Sequence, residues 1–394
     1  MIELPPLSLY VHIPWCVQKC PYCDFNSHAI SDLIEDAATN GDHKATHPGI
    51  PETDYTQSLI CDLGNDLDYV QNRVLGSIFF GGGTPSLFSP KSIALVLDAA
   101  EQFIGFDRDI EITLEANPGT ADSNYFEGYR NAGVNRLSIG IQSFDDKHLK
   151  SLGRIHSSEQ ARHAVALAHQ AGFDNINIDL MYGLPGQTIT EAKADLVDAI
   201  ALRPTHLSWY QLTIEPNTEF YKTPPVLPVE QKIEEIQNYG HTLLSAEGLE
   251  RYEVSAYAQP GYTSRHNTNY WRFGDYIGIG AGAHGKITML EQQHIIRTRK
   301  TRRPAGYLAR EDHYLADTNI LSAEELPLEF MMNALRLNKG VPRSHFEKRT
   351  GIEFSEIAEL WRELQLQRLL KAPLVQLVTT DRGYRFLDTI LSKF

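Results

Sequence analysis

Three of the four cysteines in this chain fall within eight residues, Cys16, Cys20 and Cys23, spaced C-x3-C-x2-C. Thiols this close cannot pair off without leaving one over, so a disulfide reading is poor. A shared inorganic centre suits them better. Three thiolates on one loop can hold three irons of a cubane [4Fe–4S] cluster, which ordinarily takes four, and the fourth iron is then open to a small molecule. The competing reading is a zinc site with His12 or His28 as fourth ligand. Structural zinc usually draws its ligands from two separated knuckles, and the remaining cysteine, Cys61, stands alone. Ligand type and spacing favour iron and sulfur.

The elements that must position such a loop recur along the chain. Six apolar, β-branched-rich runs predict strands over Leu7–Ile13, Ser77–Phe80, Ile110–Glu115, Arg136–Gln142, Asn175–Met181 and His206–Thr213. Helical periodicity follows in Tyr55–Gln71, Pro90–Phe103, Ser158–Ala171, Glu191–Leu202 and Val229–Glu247. Strands alternating with helices indicate an α/β fold on a parallel sheet, either open or closed into a barrel. Ser31–Thr53 reads as a long polar loop, with His43 and His47 solvated.

In parallel β/α folds the active site lies beyond the carboxyl ends of the strands. The first predicted strand ends at the cysteine loop, the second in Gly81-Gly82-Gly83-Thr84-Pro85, the third in Glu115-Ala116-Asn117-Pro118-Gly119. The fourth ends in Gln142-Ser143, the fifth carries Asp179 and ends in Tyr182-Gly183-Leu184-Pro185-Gly186, and the sixth runs to Glu215-Pro216-Asn217. Polar ends around one rim are hard to explain as packing. Gly81–Gly83 would bare backbone N–H groups for a carboxylate or phosphate, although a tight turn needs glycine too. Asp179 in an apolar strand calls for a ligand or for Arg154 as partner.

Composition bounds the rest. With 394 residues, 42% hydrophobic and 22% charged, the chain reads as an ordinary globular protein of two or three domains. A net charge of −14 argues against nonspecific nucleic-acid binding. The basic run Arg297–Arg303 is read more simply as a solvated or salt-bridged face than as a phosphate site. Met1–Pro6 lacks the features of a secretory signal, and no run of 18 apolar residues predicts a membrane span, although peripheral membrane contact stays open. Unpaired thiols without a signal point to a reducing cytoplasm.

The cysteine loop closely resembles the signature of the radical SAM enzymes. In that family S-adenosylmethionine chelates the open iron, and an electron from the cluster cleaves it to a 5′-deoxyadenosyl radical. The resemblance implies a partial (β/α)6 TIM-like barrel. Tyr10, the GGGTP and Glu-Ala-Asn-Pro motifs, Gln142-Ser143-Phe144, Gly153-Arg154 and Asp179–Pro185 further resemble the oxygen-independent coproporphyrinogen-III oxidase branch. That resemblance assigns Cys16, Cys20 and Cys23 to the cluster. It assigns Tyr10, Tyr22, Gly82, Gly83, Thr84, Glu115, Gln142, Arg154 and Asp179 to S-adenosylmethionine, with looser matches at Thr213 and His284.

The chain departs from the decarboxylating oxidase in two places. Phe25 stands where that enzyme has a further cysteine, and only 15 residues precede Cys16. Both departures, and the HNxxYW sequence His266-Asn267-Thr268-Asn269-Tyr270-Trp271, resemble the heme chaperone HemW family. The resemblance implies heme binding at His266, Asn267, Tyr270 and Trp271. Imidazole is a common axial ligand and flat aromatic rings suit a porphyrin, whereas the residue types alone favour a surface histidine beside a core tryptophan. The glycine-dense stretch Gly278–Gly285 predicts close backbone approach to a ligand cavity, with His284 near the cofactor.

These resemblances divide the chain into a radical SAM core at 1–240, a connecting region at 241–320 and a C-terminal domain at 321–394. The last shows helices at Leu326–Arg336, Arg343–Thr350 and Phe354–Leu370, then a hairpin of Val375–Thr379 and Tyr384–Leu387, as in a winged helix. Its acidic last helix argues against DNA reading. Two functions follow: a heme chaperone passing heme to an acceptor protein, or an oxidase decarboxylating coproporphyrinogen III. A reductant such as flavodoxin or ferredoxin is an implied partner.

Overall fold

Six runs rich in β-branched and aromatic residues form strands β1 (Leu7–Ile13), β2 (Leu75–Gly82), β3 (Phe106–Ala116), β4 (Arg136–Gln142), β5 (Asn175–Tyr182) and β6 (His206–Gln211). The structure, a computed structural model, describes residues 2–31, 49–119 and 125–394. The six strands lie side by side in chain order, and every neighbouring pair is parallel. Parallel neighbours need crossovers, and helices supply them. They span Glu52–Asn65, Pro90–Phe103, Phe126–Asn131, Ser158–Gln170 and Ile189–Ala201, and a further helix, Glu230–Ala246, follows β6. Ser157 with Gln160 and Thr188 with Glu191 form capping boxes that fix where two of these helices begin.

Leu59, Leu63, Val96, Leu97, Val165 and Leu196 on these helices join Leu9, Val11, Ile78, Ile139 and Ile178 of the sheet in one core. Short helices at Phe126–Asn131 and Asp146–Ser151 were not predicted, since each is too short to show periodicity. Most of the predicted polar loop, with His43 and His47, lies outside the described residues, and its end belongs to the helix Glu52–Asn65.

Beyond β1 the sheet continues with a parallel strand, Asp275–Ile279, then antiparallel His284–Met289, His294–Lys300 and Leu315–Ile320. Beyond β6 come antiparallel Ala256–Ala258 and Glu250–Arg251. The sheet therefore keeps two free edges: the barrel is partial and open, as in the radical SAM fold.

A second core gathers Phe330, Phe346, Phe354 and Trp361 from Leu326–Ala334, Arg343–Thr350, the 3-10 turn Phe354–Ile357 and Ala358–Leu366. The expected hairpin is absent among the described residues. Gln376–Leu377 pairs instead with Val341–Pro342, and Asp381–Arg385 and Leu387–Leu391 are helical. Thr380 starts that turn, its hydroxyl accepting from the Gly383 N–H at 3.0 Å, and Ile390 is buried in the second core. The three apolar residues of Tyr384–Leu387, interrupted by Arg385, fit a short helix as well as a strand. A hairpin forms earlier instead: Leu370 bridges Thr379 antiparallel, with the Lys371 N–H on the Val378 carbonyl at 3.0 Å and the Thr380 N–H on the Leu369 carbonyl at 2.9 Å, so the module keeps a wing at other bounds than expected.

Candidate cofactor site

The strand ends converge as the β/α logic requires. A cavity of about 330 Å3 at the carboxyl ends is lined by Cys16, Cys20, Tyr22, Cys23, Gly82, Gly83, Thr84, Glu115, Gln142, Arg154 and Asp179. These come from the loop after β1, the ends of β2, β3 and β4, the strand β5, and Arg154, which follows the short helix Asp146–Ser151.

The zinc alternative finds no support in the geometry. Three thiolates on one tetrahedral zinc would stand roughly 4 Å apart, and the sulfurs of Cys16, Cys20 and Cys23 do not all fall within 4.8 Å of one another. His12 is also spoken for: Nδ1 bonds the Tyr10 hydroxyl at 3.0 Å and Nε2 the Asn26 carbonyl at 2.9 Å. Burial pushes the Cys16 thiol up to about 11 and the Cys23 thiol up as well. Such thiols give up their protons when a metal centre takes the sulfur.

The glycine triplet acts differently from the sequence expectation. The N–H groups of Gly83 and Thr84 are not bare; they donate to the carbonyls of Ile13 at 2.8 Å and Trp15 at 2.8 Å. The Gly82 N–H donates to Glu115 Oε2 at 3.3 Å. Glycine is needed here because Gly82 has φ +116° with the His12 ring where a Cβ would stand, and a Cβ on Gly83 would meet the Pro14–Trp15 backbone. The triplet clamps the start of the cysteine loop. Thr84 Oγ1 then accepts from Asn117 Nδ2 at 2.8 Å, tying the second strand end to the third.

Arg154 does not pair with Asp179. Its guanidinium donates to Asn117 Oδ1 at 2.6 Å, the Gly140 carbonyl at 2.7 Å and Cys20 Sγ at 3.5 Å. Asp179 instead accepts from Asn177 Nδ2 at 2.8 Å and Ser138 Oγ at 3.1 Å, and burial raises its pKa. Burial and the charge of Asp179 push Glu115 up to about 8. Gln142 ends β4 with φ +72°, and its Oε1 accepts from the Tyr210 hydroxyl at 2.8 Å. A non-glycine residue held there is a strained position typical of ligand sites.

Ser138, Asn177, Ser208 and Tyr210 belong to this polar floor and were missed by sequence reasoning. Their signal was period two: Ser138, Gly140 and Gln142 on β4, Asn177 and Asp179 on β5, and Ser208 and Tyr210 on β6 alternate with buried apolar residues. Thr213 is exposed past β6 and lines neither this cavity nor the next.

A second cavity, of about 500 Å3, shares Phe25, Gly82 and Glu115 with the first. Tyr10, His12, Tyr270, Tyr276, His284, Arg299 and Arg302 complete it. The basic run is thus divided. Arg299 and Arg302 reach the cavity, Arg297 binds Glu329 and the Tyr276 hydroxyl, and Lys300 is buried against Asp62 and Asp66. In the glycine-dense stretch, Gly280 and Gly282 have positive φ. Side chains there would strike the His12 carbonyl and the Asn26 side chain, so the close approach is to the cysteine loop.

The HNxxYW residues fall on the helix Arg265–Trp271 and separate. Tyr270 lines the second cavity. His266 is buried, with Nδ1 on the Ser77 hydroxyl at 3.1 Å and Nε2 on the Tyr270 hydroxyl at 2.8 Å. Trp271 packs toward the second core under the Arg336 guanidinium, and Asn267 lines neither cavity.

Comparison with known proteins agrees with this geometry. Residues 10–199 match the radical SAM superfamily and residues 321–386 the HemN C-terminal domain. The heme chaperone HemW of Escherichia coli (strain K12) is 48% identical over 394 residues, covering 100% of this chain and 99% of that protein. This chain belongs to the heme chaperone HemW family. HemW of Haemophilus influenzae is also 48% identical, over 100% of this chain and 99% of its own. The radical S-adenosyl methionine domain-containing protein 1, mitochondrial, of Bos taurus is 33% identical over 98% of this chain and 86% of its own. Coproporphyrinogen III oxidase (HemN) from Escherichia coli superposes with TM-score 0.79 at 20% identity, covering 99% of this chain and 90% of that one, which establishes the shared fold.

Membership in a radical SAM family implies a [4Fe–4S] cluster and S-adenosylmethionine. The residues fit both. Three spread thiols line the cavity, and Glu115 and Asp179 hold buried carboxyl groups with no cation bonded to them, as a sulfonium ligand would suit.

Proposed function

We propose that this protein is a heme chaperone that holds a [4Fe–4S] cluster, S-adenosylmethionine and heme, and passes heme to an acceptor protein. One observation carries the reading: the three-thiol cavity and an aromatic cavity rimmed by arginines share the walls Phe25, Gly82 and Glu115. The first takes the cluster and S-adenosylmethionine, which when bound supply a reducible centre with an open iron. Cys16, Cys20 and Cys23 hold the cluster, with Arg154 on Cys20. Tyr22, Glu115, Gln142 and Asp179 orient the S-adenosylmethionine and exclude water.

The second cavity offers tyrosine faces for a porphyrin and Arg299 and Arg302 for its propionates. His284 lines it, and burial with Arg299, Arg297 and Arg302 holds its pKa below the usual histidine range. A neutral imidazole is the form that ligates iron. His266, locked between Ser77 and Tyr270, supports heme through the placement of Tyr270. The relatives named as heme chaperones at 48% identity support the same activity.

A one-electron donor of the flavodoxin or ferredoxin kind is the implied reductant, and the cytoplasm the proposed location. No described helix is long and apolar enough to cross a membrane. The S-adenosylmethionine site favours a second reading, an oxidase that decarboxylates coproporphyrinogen III propionates. Hemin titration of cluster-loaded protein tests the first. The Soret shift is expected to be lost in His284→Ala and only weakened in His266→Ala. An unshifted band in the wild-type protein, or vinyl product from coproporphyrinogen III with reductant and S-adenosylmethionine, would overturn the chaperone reading.

A further inference from the structure

A third cavity, of about 380 Å3, opens at the other end of the sheet, where β1 and β2 begin at Leu7 and Leu75. It lies between the core and the C-terminal helix Arg343–Thr350, and it shares no lining residue with either of the first two cavities. Arg265 enters from the helix Arg265–Trp271 and Arg272 from its C-cap, Arg349 and His345 from Arg343–Thr350.

Three of its polar groups are unmatched. Arg349 Nη1, His345 Nδ1 and Thr268 Oγ1 are each buried without a hydrogen-bond partner. A donor left so costs about 1–3 kcal/mol, more for a charged group, unless a ligand accepts from it. The neighbouring carboxylates are committed elsewhere. Asp275 binds Arg73, Lys286 and Thr288, and Glu3 pairs with Lys348 at 3.1 Å. Glu111 accepts from the N–H groups of Arg265 and His266, both at 3.1 Å. Burial lowers the pKa of Arg349, and Arg349, Arg272 and Lys348 all disfavour a proton on His345. Asp275 and Glu3 act on Arg349, and Glu3 on His345, only through space, and no carboxylate lines the cavity itself.

We propose that this cavity is a binding site for a phosphate-class oxyanion, free or as the phosphoryl group of a small molecule. Guanidinium forks and a threonine hydroxyl approaching from two elements suit a tetrahedral anion that accepts in several directions. Apart from His345 no aromatic ring lines the cavity, so it offers no platform for a porphyrin. Ser77 and Asn269 form its wall and lead away from it. Asn269 bonds Ser8 at 2.9 Å, Ser8 bonds Ser77 at 2.7 Å, and Ser77 bonds His266. The helix Arg265–Trp271 thus faces the oxyanion site with Thr268, its C-cap Arg272 beside it, and the aromatic cavity with Tyr270.

Calorimetric titration of the full chain with inorganic phosphate, and separately with glycerol phosphate, tests this. Saturable one-to-one binding of at least one is expected, weakened about tenfold or more by Arg272→Gln and by Arg349→Gln. Arg272 is exposed, so its variant keeps the fold and carries the test if Arg349→Gln does not. Tighter binding of phosphate assigns a free ion, and tighter binding of glycerol phosphate assigns a phosphorylated metabolite. Arg302→Gln, which removes a charge from the aromatic cavity, should leave binding intact. Absence of saturable binding, equal binding of acetate, or loss in Arg302→Gln rather than Arg272→Gln would overturn the proposal.

Discussion

Arg154 donates to the Sγ of Cys20 at 3.5 Å while Asn117 and the Gly140 carbonyl hold its other nitrogen at 2.6 and 2.7 Å. The guanidinium is therefore a fixed positive charge on one thiol of the cluster loop. A hydrogen bond to a charged group is worth about 1.5–3 kcal/mol. Positive charge near a cluster sulfur raises the reduction potential. Arg154→Met should lower the potential of the reconstituted cluster by roughly 60–130 mV for one electron. Arg154→Lys, which keeps charge but loses the fork, should fall between. Anaerobic redox titration followed by electron paramagnetic resonance measures this. An unchanged potential in Arg154→Met would remove Arg154 from the tuning of the cluster.

Glu115 and Asp179 line one cavity, and burial with the Asp179 charge holds the Glu115 carboxyl up at about 8. A raised carboxyl pKa means the folded, ligand-free protein keeps its proton where the unfolded chain has lost it. Between the ordinary carboxylate pKa and about 8, this group therefore costs stability progressively as pH rises. A sulfonium ligand favours the ionised form, so S-adenosylmethionine affinity should rise up to about tenfold per pH unit below pH 8 and level off above it. Glu115→Gln should flatten this slope while other pH effects remain. Equilibrium binding to wild type and variant across pH 6 to about 9 gives the ratio. Parallel slopes in the two would contradict the assignment.

The sequence showed which elements exist better than it showed what faces what. The strands and most helices were readable because buried parallel strands are continuous apolar runs and their helices carry one apolar face. That Cys16, Cys20 and Cys23 meet in one cavity was readable because their spacing on one loop is local. The partner of Arg154 was not, since Asn117 and Gly140 sit on other strands. His266 looked like a heme ligand by motif, but no local pattern says which side of a seven-residue helix meets the cavity. The run Tyr384–Leu387 was misread for the same reason: Leu387 packs on the C-terminal core and the Tyr384 hydroxyl donates to the Arg336 carbonyl at 2.8 Å, while Phe386 is exposed.

Gly83 is the tightest point of the clamp on the cysteine loop. A Cβ there would overlap the Trp15 carbonyl, which accepts the Thr84 N–H at 2.8 Å. Neither backbone can yield without breaking that bond. Gly83→Ala should destabilise the protein by about 2–3 kcal/mol and leave it with less cluster after reconstitution. The Gly119→Ala change, at a position with open space around it, serves as control. Melting temperature and the cluster absorbance per chain report both effects. Full cluster occupancy in Gly83→Ala would show that the loop does not depend on this contact.

Lys300 is 1% exposed and its ammonium joins Asp62 and Asp66, which are 0% and 3% exposed. Asp62 Oδ2 accepts the Gly280 N–H at 3.0 Å and the Tyr307 hydroxyl at 2.6 Å. Tyr55 accepts the Ala281 N–H at 2.8 Å and donates to the His12 carbonyl at 2.8 Å, at the end of β1. Asn26 Nδ2 closes the circuit on the Ala281 carbonyl at 2.9 Å. The triad thus braces the glycine-rich turn against the base of the cysteine loop. Lys300→Met strands two buried carboxylates, at a cost of about 3–5 kcal/mol near neutral pH. Burial already holds Asp66 up at about 6 with the lysine present, and without it both carboxyls should bind protons more readily. The folded variant then holds protons that the unfolded chain has released, so its stability falls as pH rises. Its deficit against wild type should shrink on moving from about pH 8 to about pH 5.5, where the carboxyls become neutral. Denaturant melts at both pH values test this, and a deficit that grows in acid would exclude carboxylate burial as its source.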